Sequence, residues 1–137
     1  METGTIYNPS LSLTDKMSIA NHLFTFDLPS LIENMKHSKT WAKGELKAMI
    51  LLNKPDTQVL LTALHEKTEI NAFQANDSVT IYIVQGELKF NAGKEFLTLR
   101  EGQFLTLHEK VKYNLTSIEE TVFLLTILNV NTRVEEN

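Results

Sequence analysis

A chain of 137 residues with no cysteine, five glycines, three prolines and a formal net charge of −4 fits one compact domain. Its 42% hydrophobic and 22% charged content argues for a packed core and against wholesale disorder, and the missing thiols exclude disulfides, thiolate zinc sites, iron–sulfur clusters and cysteine nucleophiles. Thirteen basic residues set among 17 acidic ones, with no basic block, argue against a nucleic-acid partner.

Residues 1–20 are polar, rich in Ser and Thr, and carry Pro9, so they read as a flexible or strand-exchanging arm ahead of a single domain spanning 21–137. They lack the basic start and continuous apolar stretch of a secretory signal. The longest apolar runs, 48–52 and 122–125, are too short to span a membrane. A soluble cytoplasmic protein is therefore expected. Residues 23–26 can form a short strand. Asp27-Leu28-Pro29-Ser30 then offers helix-start chemistry, and Leu31, Ile32 and Met35 give one apolar face over a short helical turn or two. No other stretch shows a helical period. Trp41, followed by Ala42-Lys43-Gly44, can anchor the N-terminal segment by packing.

From residue 45 onward the text is that of strands: 45–52, a turn at 53–56, 58–64, a turn at 65–67, and β-branched and aromatic residues over 79–84 ending at Gly86. Residues 87–90 and 95–99 flank the turn Asn91-Ala92-Gly93-Lys94 as a hairpin. Strands over 103–107, 111–116 and 121–130 complete the set. Short strands at this spacing, with no βαβ rhythm, predict an all-β sandwich or barrel. Leu64-His65-Glu66-Lys67 recurs as Leu107-His108-Glu109-Lys110, each copy in a turn, which suits two barrel halves related by a pseudo-twofold. The runs 48–52 and 59–61 are apolar on both faces, so the outer side of their sheet must be covered, either by the N-terminal segment or by a second subunit.

Two glycine-centred stretches carry a family resemblance. They are Ile81-Tyr82-Ile83-Val84-Gln85-Gly86-Glu87-Leu88 and Leu99-Arg100-Glu101-Gly102-Gln103. With fifteen residues, 87–101, lying between Gly86 and Gly102, they resemble the two motifs of the cupin superfamily, and the resemblance covers roughly the stretch 58–128. It implies a cupin-type double-stranded β-helix, a jelly-roll barrel, here with a short N-terminal helical turn. Counting back from Gly86 at the family's spacing puts its first glycine at Lys67, its two histidines at Phe73 and Ala75, and its glutamate at Val79. Counting forward from Gly102 puts the motif's proline at His108, its second glycine at Lys110, its histidine at Tyr113 and its asparagine at Ser117. In metal-bearing cupins three histidines and a glutamate converge inside the barrel. The residues here cannot supply that set, and the family's longer spacing adds only Gln74. No metal and no other cofactor is expected.

What stands at those positions suggests a different interior. Phe73, Ala75, Val79, Ile81, Tyr113 and Leu115 would line the barrel centre. Phe73 either plugs it as core, or leaves an apolar pocket that the Tyr113 hydroxyl orients toward a small apolar or mixed-polarity ligand. His65 and His108, with Glu66 and Glu109, could form a surface metal site only if the two turns meet; otherwise they are exposed turn histidines. His22 and His37 fall outside the barrel stretch, and Glu87 reads as a surface acid. There is no G-x-S-x-G, and no residue is assigned as catalytic. The expectation is a metal-free cupin-like domain with a small-molecule-binding or regulatory role rather than a catalytic one, because the motif positions hold no metal ligands. The alternatives are an enzyme with relocated ligands or metal-independent chemistry, and a dimerisation module with a filled barrel. A homodimer is expected, without nucleic acid or membrane as partner.

Overall fold

The computed structural model describes residues 17–19, 23–74, 78–107 and 112–128. After a small hairpin of β1 (Met17–Ile19) and β2 (Leu23–Thr25) come helices α1 (Leu28–Lys36) and α2 (Lys39–Ala42). Nine strands follow: β3 (Lys47–Lys54), β4 (Thr57–Leu64), β5 (Glu69–Gln74), β6 (Ser78–Gln85), β7 (Glu87–Ala92), β8 (Glu95–Arg100), β9 (Phe104–Leu107), β10 (Lys112–Ser117) and β11 (Thr121–Leu128). They build a five-stranded sheet, β3-β4-β11-β6-β9, and a four-stranded sheet, β5-β10-β7-β8, with antiparallel pairing throughout. From β4 on, the chain passes repeatedly from one sheet to the other, as the jelly-roll reading requires. Most of the predicted arm lies outside the described residues; its described part, Met17–Ile19, pairs with Leu23–Thr25 of the same chain.

Between the sheets the inward residues form one core, including Leu64, Val79, Ile81, Ile83, Leu88, Phe90, Leu115 and Phe123. A second core lies on the outer face of the five-stranded sheet. There Leu31, Ile32, Met35 and Trp41 of the two helices bury Met49, Leu51, Leu61, Ala63 and Val122. The strands that read as apolar on both faces are thus covered by the chain's own residues 28–42. Spacing explains why α1 can do this: Leu31, Ile32 and Met35 recur at i, i+1 and i+4, all buried. Pro29 sits in its first turn, where the missing N–H costs no helical bond. Ser38 links the helices, donating to the Met35 carbonyl at 2.8 Å and accepting from the Trp41 amide at 3.2 Å. One turn is too short to show a period, which is why α2 has no signature in the sequence. Among the described residues no helix is long and apolar enough to cross a membrane.

Strand β5 begins earlier than the sequence shows, since alternation there was legible only at Phe73 and Ala75 while the strand starts at Glu69. Its register opposes Phe73 to Tyr113 and Ile70 to Leu115, so three steps along β5 match two along β10. This bulge breaks the period-two pattern by which a strand is recognised. Lys67, which stands at the first glycine of the resembled motif, has φ +64, the only positive φ at a non-glycine among the described residues. Glycine adopts a positive φ without steric cost, so Lys67 holds a backbone conformation that suits glycine.

Two fully buried hydroxyls fasten the ends of the barrel. Ser117 Oγ donates to the His65 carbonyl at 2.6 Å and accepts from the Thr68 amide at 2.8 Å. Thr121 Oγ1 donates to the Glu119 carbonyl at 2.7 Å and accepts from the Glu87 amide at 3.1 Å. Replacing Ser117 by Ala takes the partner from the part-buried Thr68 N–H, and the expected loss is about 1–3 kcal/mol in urea unfolding. An unchanged midpoint would mean that the turn at 65–68 finds another partner.

Candidate functional site

An apolar cavity of about 340 Å³ lies between the sheets. Strands β4 and β11 contribute Leu60, Thr62, Phe123, Leu125 and Ile127, and β6 contributes Val79. Ile70 of β5 and Tyr113 and Leu115 of β10 form the opposite wall. Leu46, Ala48 and Gln58 complete it. These three are exposed, so the cavity opens beside β3, the edge strand of its sheet.

Three of the residues expected at the barrel centre, Val79, Tyr113 and Leu115, stand at the cavity wall. Ile81 does not: it is buried in the inner core between Leu125 and Leu105, its cross-strand neighbours. The Phe73 backbone pairs with Tyr113, but its side chain lies outside the described residues, as does all of Ala75. The remaining wall residues escaped the sequence reading because motif spacing reaches only β5, β6 and β10. Their signal was nonetheless present as alternation, Leu60 with Thr62 and Phe123 with Leu125 and Ile127. Thr62, a hydroxyl buried within an apolar run, was the most informative of them.

The polar side chains on the described wall are Gln58, Thr62 and Tyr113, and none of the described wall residues is charged. Gln58 is held from outside, its Nε2 donating to Asn53 Oδ1 at 3.1 Å. Tyr113 is buried and stacked on Phe90, with ring centroids 5.2 Å apart. Burial pushes its phenol pKa above the usual 10.0, so at neutral pH the hydroxyl keeps its proton and can both donate and accept. Tyr113 also borders a second, polar concavity lined by Asn71, Asn91, Lys112 and Asn114, where Asn91 Nδ2 donates to Asn114 Oδ1 at 2.9 Å.

The described histidines, His37 and His65, take no part in this wall. His65 corrects the expectation of an exposed turn residue: it is half-buried, stacked on Trp41 with centroids 3.5 Å apart, and its Nε2 donates to the Trp41 carbonyl at 2.9 Å. That contact clasps α2 to the end of β4, and so Trp41 does anchor the N-terminal segment. His37 is exposed, with Nδ1 donating to the Glu33 carbonyl at 2.7 Å. His22, His108 and Glu109 lie outside the described residues, so the proposed meeting of the two turns does too. Glu87 faces Arg100 at 3.4 Å near the surface.

Many solved structures share this arrangement of strands. A cupin superfamily protein of Desulfitobacterium hafniense matches over 62% of this chain and 78% of its own, with a TM-score of 0.60 at 14% identity. The chain has the cupin fold. The cupin domain of Cnp3 from Schizosaccharomyces pombe matches it over 90% of this chain and 94% of its own, with a TM-score of 0.65 at 12% identity. For the EutQ protein of Clostridium difficile the shares are 85% and 94%, the TM-score 0.66 and the identity 11%. No family model matches the chain, and no curated protein matches it by sequence. Cupins that carry a metal hold it with histidines and a glutamate. Here Val79 and Tyr113 stand on the wall at two of those positions, and the described wall contains neither imidazole nor carboxylate. Among the described residues no three of His, Asp, Glu and Cys gather around one point. This donor set does not fit a divalent transition metal.

Proposed function

We propose that this cupin barrel binds a small, largely apolar molecule in its central cavity and does so without a metal. The observation that supports this reading is the wall itself: a cavity of about 340 Å³, open at one edge, whose described side chains are apolar apart from Gln58, Thr62 and Tyr113. Pockets for small molecules characteristically combine an apolar lining with a few orienting polar groups. Binding rather than catalysis is favoured because no acid, base or activated nucleophile stands among the described wall residues.

The direct test uses toluene as a probe. Titration is expected to move the methyl resonances of Val79, Leu115, Leu125 and Ile127 and to raise the melting temperature. Ala48→Trp, which places a large ring at the opening, is expected to abolish those shifts while the protein stays folded. Toluene that moves none of these methyls would sink the reading.

Assembly as a homodimer belongs to the same proposal. Tyr82 and Phe104 pair across β6 and β9, and they are 39% and 63% exposed. They are aromatic side chains on strands bordering a sheet edge, a composition that suits association. A sedimentation mass of twice 15.6 kDa is expected, and a mass of one chain would exclude the dimer.

A further inference from the structure

We infer that the outer face of the four-stranded sheet carries a second binding site, for a neutral polyhydroxylated molecule of monosaccharide size. Asn91 lies between Phe90 and Ala92, and Asn114 between Tyr113 and Leu115, all four of which pack in or against the inner core. Alternation therefore turns Asn91 and Asn114 to the outer face. The two oppose each other in register and are joined by the bond from Asn91 Nδ2 to Asn114 Oδ1. On the other flank, the bulge of β5 sets residues 71 and 72 against Asn114 alone, which adds Asn71 to the row. With Gly93 and Lys112 these carboxamides line a concavity of about 320 Å³. A cavity of about 150 Å³ accommodates benzene, so this one has room for a six-membered ring with its hydroxyls.

The chemistry of the row selects the ligand. Each carboxamide offers two N–H donors and a carbonyl acceptor. Once Asn91 and Asn114 have met, Asn91 keeps its carbonyl and one N–H, and Asn114 keeps both of its N–H groups. The Asn71 and Lys112 side chains have no hydrogen-bond or ion-pair partner among the described residues. Donors and acceptors thus stand side by side on one half-buried to exposed surface. A hydroxyl donates once and accepts twice, so a ring of hydroxyls can use both kinds. An anion accepts only: it would set its oxygens against the carboxamide carbonyls, with one exposed ammonium, Lys112, to attract it. An apolar molecule would strip water from the amides and return no hydrogen bond. The row continues onto β8, where Phe96 opposes Asn91 and is 69% exposed, giving an aromatic surface on the same face.

The experiment titrates D-glucose, D-galactose, D-mannose and inorganic phosphate while following the side-chain amide resonances of Asn71, Asn91 and Asn114. At least one sugar is expected to shift all three saturably, and to bind at least about tenfold more tightly than phosphate. Asn71→Ala removes an exposed side chain with no described partner, so the melting temperature should hold while that sugar weakens about three- to tenfold. Ala48→Trp, at the opening of the central cavity, should leave sugar binding unchanged, which separates this site from the one probed by toluene. Phosphate binding as tightly as every sugar would overturn the ligand class. Sugars that shift none of the three amides saturably, or whose affinity does not respond to Asn71→Ala, would overturn the site.

Discussion

Gly86→Ala is expected to lower the melting temperature by about 10–20 °C or to prevent folding, whereas Gly93→Ala lowers it by only a few degrees. Both glycines have positive φ, +99 and +63 respectively. At residue 93 an added Cβ meets nothing within 4 Å, so the cost is backbone strain alone, about 1–2 kcal/mol. At residue 86 the same atom would stand 2.6 Å from both Cα and Oγ1 of Thr121, and it would also collide with the Glu120 carbonyl. These are backbone and buried atoms that cannot swing aside. Thr121 is moreover the residue that receives the Glu87 amide, so any retreat loosens that bond as well. Strain and overpacking together amount to roughly 3–5 kcal/mol. At about 3–5 °C per kcal/mol for a domain of this size, that gives the stated shift. Thermal unfolding of the two variants side by side checks it, and equal shifts would show that the close approach of β11 to Gly86 does not exist in solution.

This contrast also shows why the fold was legible when so much of the site was not. Gly86 and Gly102 are forced by geometry: both carry positive φ, and the Gly102 amide donates to the Ile83 carbonyl at 2.9 Å. Residues fixed by the backbone keep their spacing whatever fills the barrel, so counting between them located the sheets. The start of strand β5 was hidden because its bulge interrupts alternation. The clasp of His65 on Trp41 joins residues 24 apart in the chain, and no local pattern encodes such a contact. For the cavity, motif positions named Val79 and Tyr113, but half of the wall comes from β4 and β11, which carry no ligand position. Whether a space is left between inward side chains depends on how two sheets fit together. Alternation supplies the facing, and only the packed structure supplies the gap.

Leu31→Ala is expected to cost about 2–5 kcal/mol, with the loss concentrated in residues 28–42 rather than spread through the barrel. Leu31 is fully buried in the outer core, beneath which Met49, Leu51, Leu61 and Val122 present the other face of the five-stranded sheet. The inner core, with Ile81, Leu88 and Phe123 at its centre, is a separate cluster across that sheet. Beyond the clasp of His65 on Trp41, polar attachment of the helices is slight. Lys36 meets Glu120 at 2.5 Å, but both side chains reach solvent, and such a pair contributes at most about 1 kcal/mol. Apolar burial by Leu31, Ile32, Met35 and Trp41 therefore carries the docking. Removing most of the Leu31 side chain should allow the helices to open while β6 and β11 stay paired. In hydrogen exchange, amides of α1 are expected to lose protection while those of Ile81 and Phe123 retain theirs. The uncovered sheet face should also make the variant associate more readily at high concentration. Lys36→Ala, by contrast, should change stability by less than about 1 kcal/mol. A uniform loss of protection across α1 and the inner strands would show that the two cores melt as one unit, and that the helices are part of the barrel's own cooperative fold rather than a cover laid over it.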